Sequence, residues 1–300
     1  MTLTTDHVFH IGTQHLRQGV PCQDHALSGV LASGFAYGIV SDGCSSGGMT
    51  DIGARLVSVA SREALTENVR ETKPHRGLRA AKEESIGFLR AAQATLALQP
   101  EDMLATALVA VLSSHGRLYT YCYGDGVIAY RDDSGSLYAI TYEWLENAPF
   151  YPIYRGALQE RFIDHHDDQV EPRALTRELW QLTPTEELRE RVVFSALDGS
   201  TGVEDGSTNF DDLPITDAAV FTDGVQQVDG MSWQEAVRQL LAFKSTEGRF
   251  AARRMNGFLK NLRQTGRGPL DDIAYAVVRR APPATDEEET NAAEANEVRA

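Results

Sequence analysis

Asp42 stands at the end of a short apolar run, Phe35-Ala-Tyr-Gly-Ile-Val40, and is followed by a turn containing Gly43, Gly47 and Gly48. The run carries aromatic and β-branched residues and is too short for a helix, so it predicts a buried strand with an acid at its C-terminal end. Glycines beyond the acid let the backbone come close to whatever the carboxylate holds. A lone Asp there would merely start a turn. The pattern recurs, however, at Phe221-Thr222-Asp223-Gly224, at Gly124-Asp125-Gly126, at Asp271-Asp272 before Ile273–Val278, and at Gln23-Asp24 before a run ending at Leu31. Acids therefore flank strand-like runs at five places, and five suggest one shared site if those strand ends converge. Two carboxylates ~4 Å apart repel by about 4 kcal/mol at an effective dielectric near 20. No Lys or Arg adjoins the Asp-Gly motifs. Either the acids stay apart or cations sit among them. An all-oxygen ligand set favours a hard ion, Mg²⁺ or Mn²⁺.

The rest of the chain has to place those acids. A first strand is expected at 7–11, then a polar loop at 12–24 and a hairpin of strands around the turn Ser33-Gly34. Helical periodicity covers 50–68, with Thr50 or Asp51 as its cap. Pro74 and Gly77 break the chain before a second helix at 78–98. Strands follow at 104–112, 117–123, 127–130 and 137–141, and tight turns between them imply antiparallel pairing. Residues 142–190 carry no clear pattern. Within them His165-His166-Asp167-Asp168 reads as an exposed loop, since consecutive side chains seldom aim at one ion. Strand character returns at 191–197 and 217–221. Ser232 caps a helix to Phe243, a basic-faced helix covers 247–264, and a last strand covers 273–278. The tally predicts an α+β fold: a four-layer αββα sandwich of two antiparallel sheets flanked by helix pairs.

Composition narrows the class. The chain has 300 residues, 42% hydrophobic, with a formal charge of −15, which argues against a nucleic-acid footprint. Six acids against Arg299 alone make 281–300 an expected acidic, disordered tail after a domain at 1–280. Cys22, Cys44 and Cys122 form no close pair, so neither a zinc knuckle nor a disulfide framework is expected. No apolar run is long enough for a membrane span and no signal peptide is apparent, so a cytoplasmic protein is expected.

Taken in order, these motifs resemble those of the metal-dependent type 2C Ser/Thr protein phosphatases, in particular the bacterial stand-alone forms. The matching pieces are Gln23-Asp24, Ser41-Asp42-Gly43 with Gly47-Gly48, Gly53-Ala54, Ala105-Thr106-Ala107-Leu108, Tyr123-Gly124-Asp125, Phe221-Thr222-Asp223-Gly224-Val225 and Asp271-Asp272-Ile273. The resemblance implies two, or with a weaker site three, Mn²⁺ or Mg²⁺ ions. Asp42 would bridge two of them, with Asp223 and Asp271 on one, the Gly43 carbonyl and Asp24 on the other, and Asp125 at the third. It implies hydrolysis of phosphorylated Ser/Thr proteins by a metal-activated water, without a phospho-enzyme. A cognate kinase is a further candidate partner; nucleic acid and membrane are not.

Three departures from the family pattern stand out. The position of a phosphate-gripping Arg is Gly19, for which Arg17 or His15 is the expected substitute. A His that in some relatives follows the central Asp-Gly is Cys44, leaving water or His15 to protonate the leaving group. Gly124-Asp125-Gly126 replaces Gly-Asp-Ser. These departures keep alternatives open: a catalytically impaired regulatory or binding module, or a phosphoesterase acting on small molecules. An insertion at 142–190 is expected to form a flap beside the site.

Overall fold

The computed structural model describes residues 2–155, 159–160, 174–195 and 214–281. The expected tail, from residue 282, and the His165–Asp168 cluster lie outside the described residues.

Eleven strands are described: β1 (Leu3–His10), β2 (Asp24–Val30), β3 (Ala36–Asp42), β4 (Ala107–Leu112), β5 (Leu118–Tyr123), β6 (Gly126–Asp132), β7 (Leu137–Trp144), β8 (Ala174–Thr183), β9 (Glu187–Ser195), β10 (Ile215–Phe221) and β11 (Ile273–Arg280). They form two antiparallel sheets, ordered β1-β11-β10-β6-β7-β8-β9 and β2-β3-β4-β5. The central strands are buried along their whole length, β4 and β5 without exception. Such continuous apolar runs fit strands covered on both faces. One core cluster fills the space between the sheets and extends under α2 (Thr50–Asn68) and α3 (Pro74–Leu96). A second lies between the larger sheet and the helices α4 (Trp233–Leu240) and α5 (Phe250–Gln264). The four-layer αββα sandwich is therefore the observed architecture.

Several local expectations are corrected. The polar loop after β1 contains a short helix, α1 (Thr13–Gln18), which ends at Gly19 in the left-handed conformation. Pro74 does not break α3 but begins it: the missing N–H falls where a helix has no acceptor for it. Thr50 lies inside α2 rather than capping it. The Met49 N–H instead donates to Asp102 Oδ1 at 2.8 Å, from a 3-10 turn that precedes β4. Ser232 does cap α4, accepting from the Glu235 N–H at 3.3 Å.

Gly124-Asp125-Gly126 looks like a hairpin turn, yet β5 and β6 do not pair. They belong to opposite sheets. Gly124 at φ 92° and Gly126 at φ 133° take backbone conformations closed to other residues. The chain thereby crosses the sandwich within three residues and leaves Asp125 at the crossing.

Candidate metal centre

β2 and β3 pair in a register that sets Asp24 directly opposite Asp42. The Asp42 backbone is clamped by Thr106. Its N–H donates to Thr106 Oγ1 at 2.9 Å, and its carbonyl accepts from the Thr106 N–H at 2.8 Å. Across the sandwich, β10 ends in Thr222-Asp223. Thr222 Oγ1 accepts from the Ala274 N–H at 2.9 Å and donates to Asp24 Oδ2 at 2.6 Å. That hydroxyl ties one sheet to the other at the site. Gly224 passes so close to β11 that a Cβ would lie 1.7 Å from the Asp272 carbonyl oxygen. No backbone shift of a few tenths of an ångström relieves that overlap. Glycine there is what lets Asp223 stand beside Asp271. Gln227 Nε2 spans the two, 3.0 Å from Asp223 Oδ2 and 3.4 Å from Asp271 Oδ2.

The result is a polar cavity of about 130 Å³ lined by Asp42, Gly43, Asp125, Asp223 and Asp271 and by Cys44, Asn147 and Tyr151 among others. Asp24 sits behind Asp42, almost wholly buried. Asp42 lies within hydrogen-bonding reach of both Asp24 and Asp223. Burial is the largest cause raising the pKa of Asp42, and Asp24, Asp223 and Asp125 add to it. Burial also leads for Asp24, with Asp272 adding; for Asp125, with Asp223 adding; and for Asp223, with Asp271 adding. Among the described residues no Lys, Arg or His lines the cavity. Four acids that resist ionisation, with no cationic side chain lining the cavity among the described residues, could hold a divalent ion or else keep protons. The donors are all oxygen, which suits Mg²⁺ or Mn²⁺.

This arrangement fixes the sign of a pH effect. Raised pKa values mean that the folded, metal-free chain binds more protons than the unfolded one. Its stability therefore falls as pH rises from the usual carboxylate value of 3.8 through the raised values. Thermal denaturation in EDTA should show the four acids' contribution as a melting temperature that drops between acid and neutral pH. Saturating Mn²⁺ at neutral pH should restore it.

The remaining candidates are placed differently. Arg17 is exposed on α1 and outside the cavity lining. His15 is buried, with Nδ1 2.9 Å from Asp272 Oδ2 and 3.9 Å from Asp271 Oδ1. His15, Asp271 and Asp272 place ligand atoms within 4.8 Å of one another. Asp272 is nonetheless fully engaged. Its Oδ1 accepts from the Gly12 N–H, and its Oδ2 accepts from the Gln23 N–H, both at 2.6 Å, besides meeting His15. Asp272 thus holds the α1 loop against the start of β2, while its neighbour Asp271 faces the cavity.

A family comparison decides what this geometry belongs to. The chain matches the family described as Protein phosphatase 2C over residues 11–260. The chain belongs to the protein phosphatase 2C family. Three solved structures of the family's fold illustrate the likeness. A bacterial serine phosphatase carrying an arginine-to-lysine mutation is 10% identical at a TM-score of 0.54, covering 95% of this chain and 100% of that one. The serine/threonine phosphatase Stp1 from Staphylococcus aureus is 11% identical at 0.51, covering 94% and 96%. The Mycobacterium tuberculosis serine/threonine phosphatase PstP/Ppp is 13% identical at 0.50, covering 94% and 100%. At such identities the likeness is one of fold. No curated protein matches the chain. Among the described residues no helix is long and apolar enough to cross a membrane.

Some contributors to the site were given no role by the sequence. Thr106, Thr222 and Gln227 act by holding carboxylates in place, and Asn147 and Tyr151 come from the stretch that had no legible pattern. Tyr151 is announced only by its place in an aromatic segment, Phe150-Tyr151-Pro-Ile-Tyr154.

Proposed function

We propose that this phosphatase-family chain is a Mn²⁺- or Mg²⁺-dependent protein Ser/Thr phosphatase. Asp24, Asp42, the Gly43 carbonyl, Asp223 and Asp271 would hold two ions, with Asp125 beside a third. One observation carries the reading: carboxylates from four separate segments line one cavity, with a fifth, Asp24, buried against Asp42, and among the described residues no cationic side chain lines it. When bound, such ions supply concentrated positive charge, which neutralises phosphoryl oxygens and lowers the pKa of nearby water.

The chain's own residues do the positioning. Thr106 fixes the backbone of Asp42, Thr222 orients Asp24, and Gln227 keeps Asp223 and Asp271 together. Those hydrogen bonds leave the carboxylates little freedom to lose when an ion or substrate arrives. A phosphorylated Ser or Thr side chain, small and dianionic, suits an opening of this size and polarity.

Release of phosphate from a phosphoserine peptide tests this directly. Hydrolysis is expected with Mn²⁺ and none in EDTA, and activity that survives EDTA would end the reading. A second reading keeps one observation in its favour: among the described residues no Arg, Lys or His lines the cavity to grip phosphate. Calorimetric metal binding without turnover of any phosphoester would point to a regulatory module instead.

A further inference from the structure

The departing Ser or Thr oxygen is a poor leaving group, and a site that expels it needs a donor aimed at it. His15, the first candidate from sequence, is held on Asp272 and lies outside the cavity lining. The carboxylates bear the wrong charge for the task. Of the other lining residues, Ser45, Ser46 and Asn147 are exposed, whereas Tyr151 is buried to within a few per cent and still lines the cavity.

We propose that the Tyr151 hydroxyl donates a hydrogen bond to the seryl or threonyl oxygen as that oxygen leaves phosphorus. This rests on the reading of the cavity as a phosphoserine/threonine phosphatase site.

Tyr151 is built into place. Trp144, at the end of β7, donates from Nε1 to the Gly124 carbonyl at 2.9 Å, next to Asp125. Phe150 stacks on Tyr123 with ring centroids 6.5 Å apart, and Tyr123 is the last residue before the Gly124–Asp125 crossing. Tyr154 packs edge-on against Phe150 and tilted against Tyr151, each at 5.7 Å. The segment that carries Tyr151 is therefore anchored to the same backbone that carries Asp125. A donor fixed this way needs no reorganisation during the reaction, which is what makes such a group effective.

The hydroxyl is also available. The Cys44 thiol lies close by, and sulfur is a weak acceptor, so turning to a seryl oxygen gives up little. A phenol, with an ordinary pKa of about 10, is a proton donor at neutral pH, and burial pushes Tyr151 further up.

The chemistry balances without a net change on Tyr151. A water oxygen bonds to phosphorus and the bond from phosphorus to the seryl oxygen breaks, its electron pair remaining on the seryl oxygen. One proton of the water ends on that oxygen and the other on the phosphate. Tyr151 stabilises the charge that builds on the seryl oxygen before its proton arrives.

The test compares two leaving groups on the full chain with Mn²⁺. Tyr151→Phe keeps the ring and removes only the donor. Its kcat on a phosphoserine peptide should fall by about a hundredfold. On p-nitrophenyl phosphate, whose leaving group departs unaided, kcat should stay near the wild-type value. Tyr138→Phe, on β7 and outside the cavity lining, should leave both rates unchanged. Equal losses on the two substrates would show that Tyr151 only supports the fold of the site, and no loss on the peptide would also overturn the proposal. Wild-type protein inactive on both substrates would instead overturn the phosphatase reading on which it rests.

Discussion

Asp42→Asn should remove phosphatase activity by on the order of a thousandfold or more while making the metal-free protein more stable. The two effects have one origin. Asp42 is the acid with Asp24 and Asp223 on either side, and each of these raises its pKa beyond what burial does. Converting it to the amide deletes the charge that an ion would need and also deletes the repulsion its neighbours suffer without one. In EDTA at neutral pH the variant should melt higher than wild type, by about 2–4 °C for each kcal/mol of repulsion relieved. With Mn²⁺ the order should reverse, because wild type gains binding energy that the variant cannot. Loss of activity alone would fit any damage to the site. The crossing of the two melting curves would not. A variant less stable than wild type in EDTA would contradict the claim that these acids are held together against their own repulsion.

What the sequence made legible, and what it hid, follows from how far each feature depends on distant parts of the chain. The acids themselves were legible because each ends or begins a strand-like run beside glycine, a local pattern. That they converge was suggested by the repeated pattern and by the family resemblance, and the cavity brings Asp42, Asp125, Asp223 and Asp271 together. The helix at 50–68 was legible to its ends because nineteen residues of one amphipathic period leave little choice. The short α1 was not, since six residues cannot form a stable helix alone and this one is held by loop contacts to Pro269 and Leu270. The crossing at Gly124-Asp125-Gly126 was hidden because a three-residue glycine turn serves a hairpin or a change of sheet equally well. β8 and the first part of β9 were obscured for another reason. They form the outer edge of the larger sheet, where charged side chains such as Arg177, Glu178 and Arg191 pair with other charges and interrupt the apolar pattern. Tyr151 was beyond reach because its role depends on Phe150 finding Tyr123, a contact nothing local predicts.

The adjacent pair Asp271-Asp272 gives the sharpest division of labour, and it yields the second large effect. The two lie in the bend just before β11, and two identical side chains there meet different environments. Asp271 is partly exposed and faces the cavity; Asp272 is buried and takes the N–H groups of Gly12 and Gln23 together with His15 Nδ1. Replacing Asp272 by Asn turns one acceptor oxygen into an amide that presents hydrogens to donors already there. At least one buried N–H loses its partner and the charge-assisted bonds weaken, which should cost about 3–5 kcal/mol of stability. The α1 loop and the start of β2, held by those bonds, should loosen first, and hydrogen exchange at Gly12 and Gln23 should report it. Asp271→Asn should do the reverse: it leaves the structural bonds intact, removes a charge from the cluster, and weakens Mn²⁺ binding with little loss of fold. Denaturant unfolding and calorimetric Mn²⁺ titration of both variants separate the roles. If Asp272→Asn kept wild-type stability, the bonds to Gly12 and Gln23 would not be what holds the loop. If Asp271→Asn bound Mn²⁺ unchanged, the carboxylate facing the cavity would have no part in holding an ion.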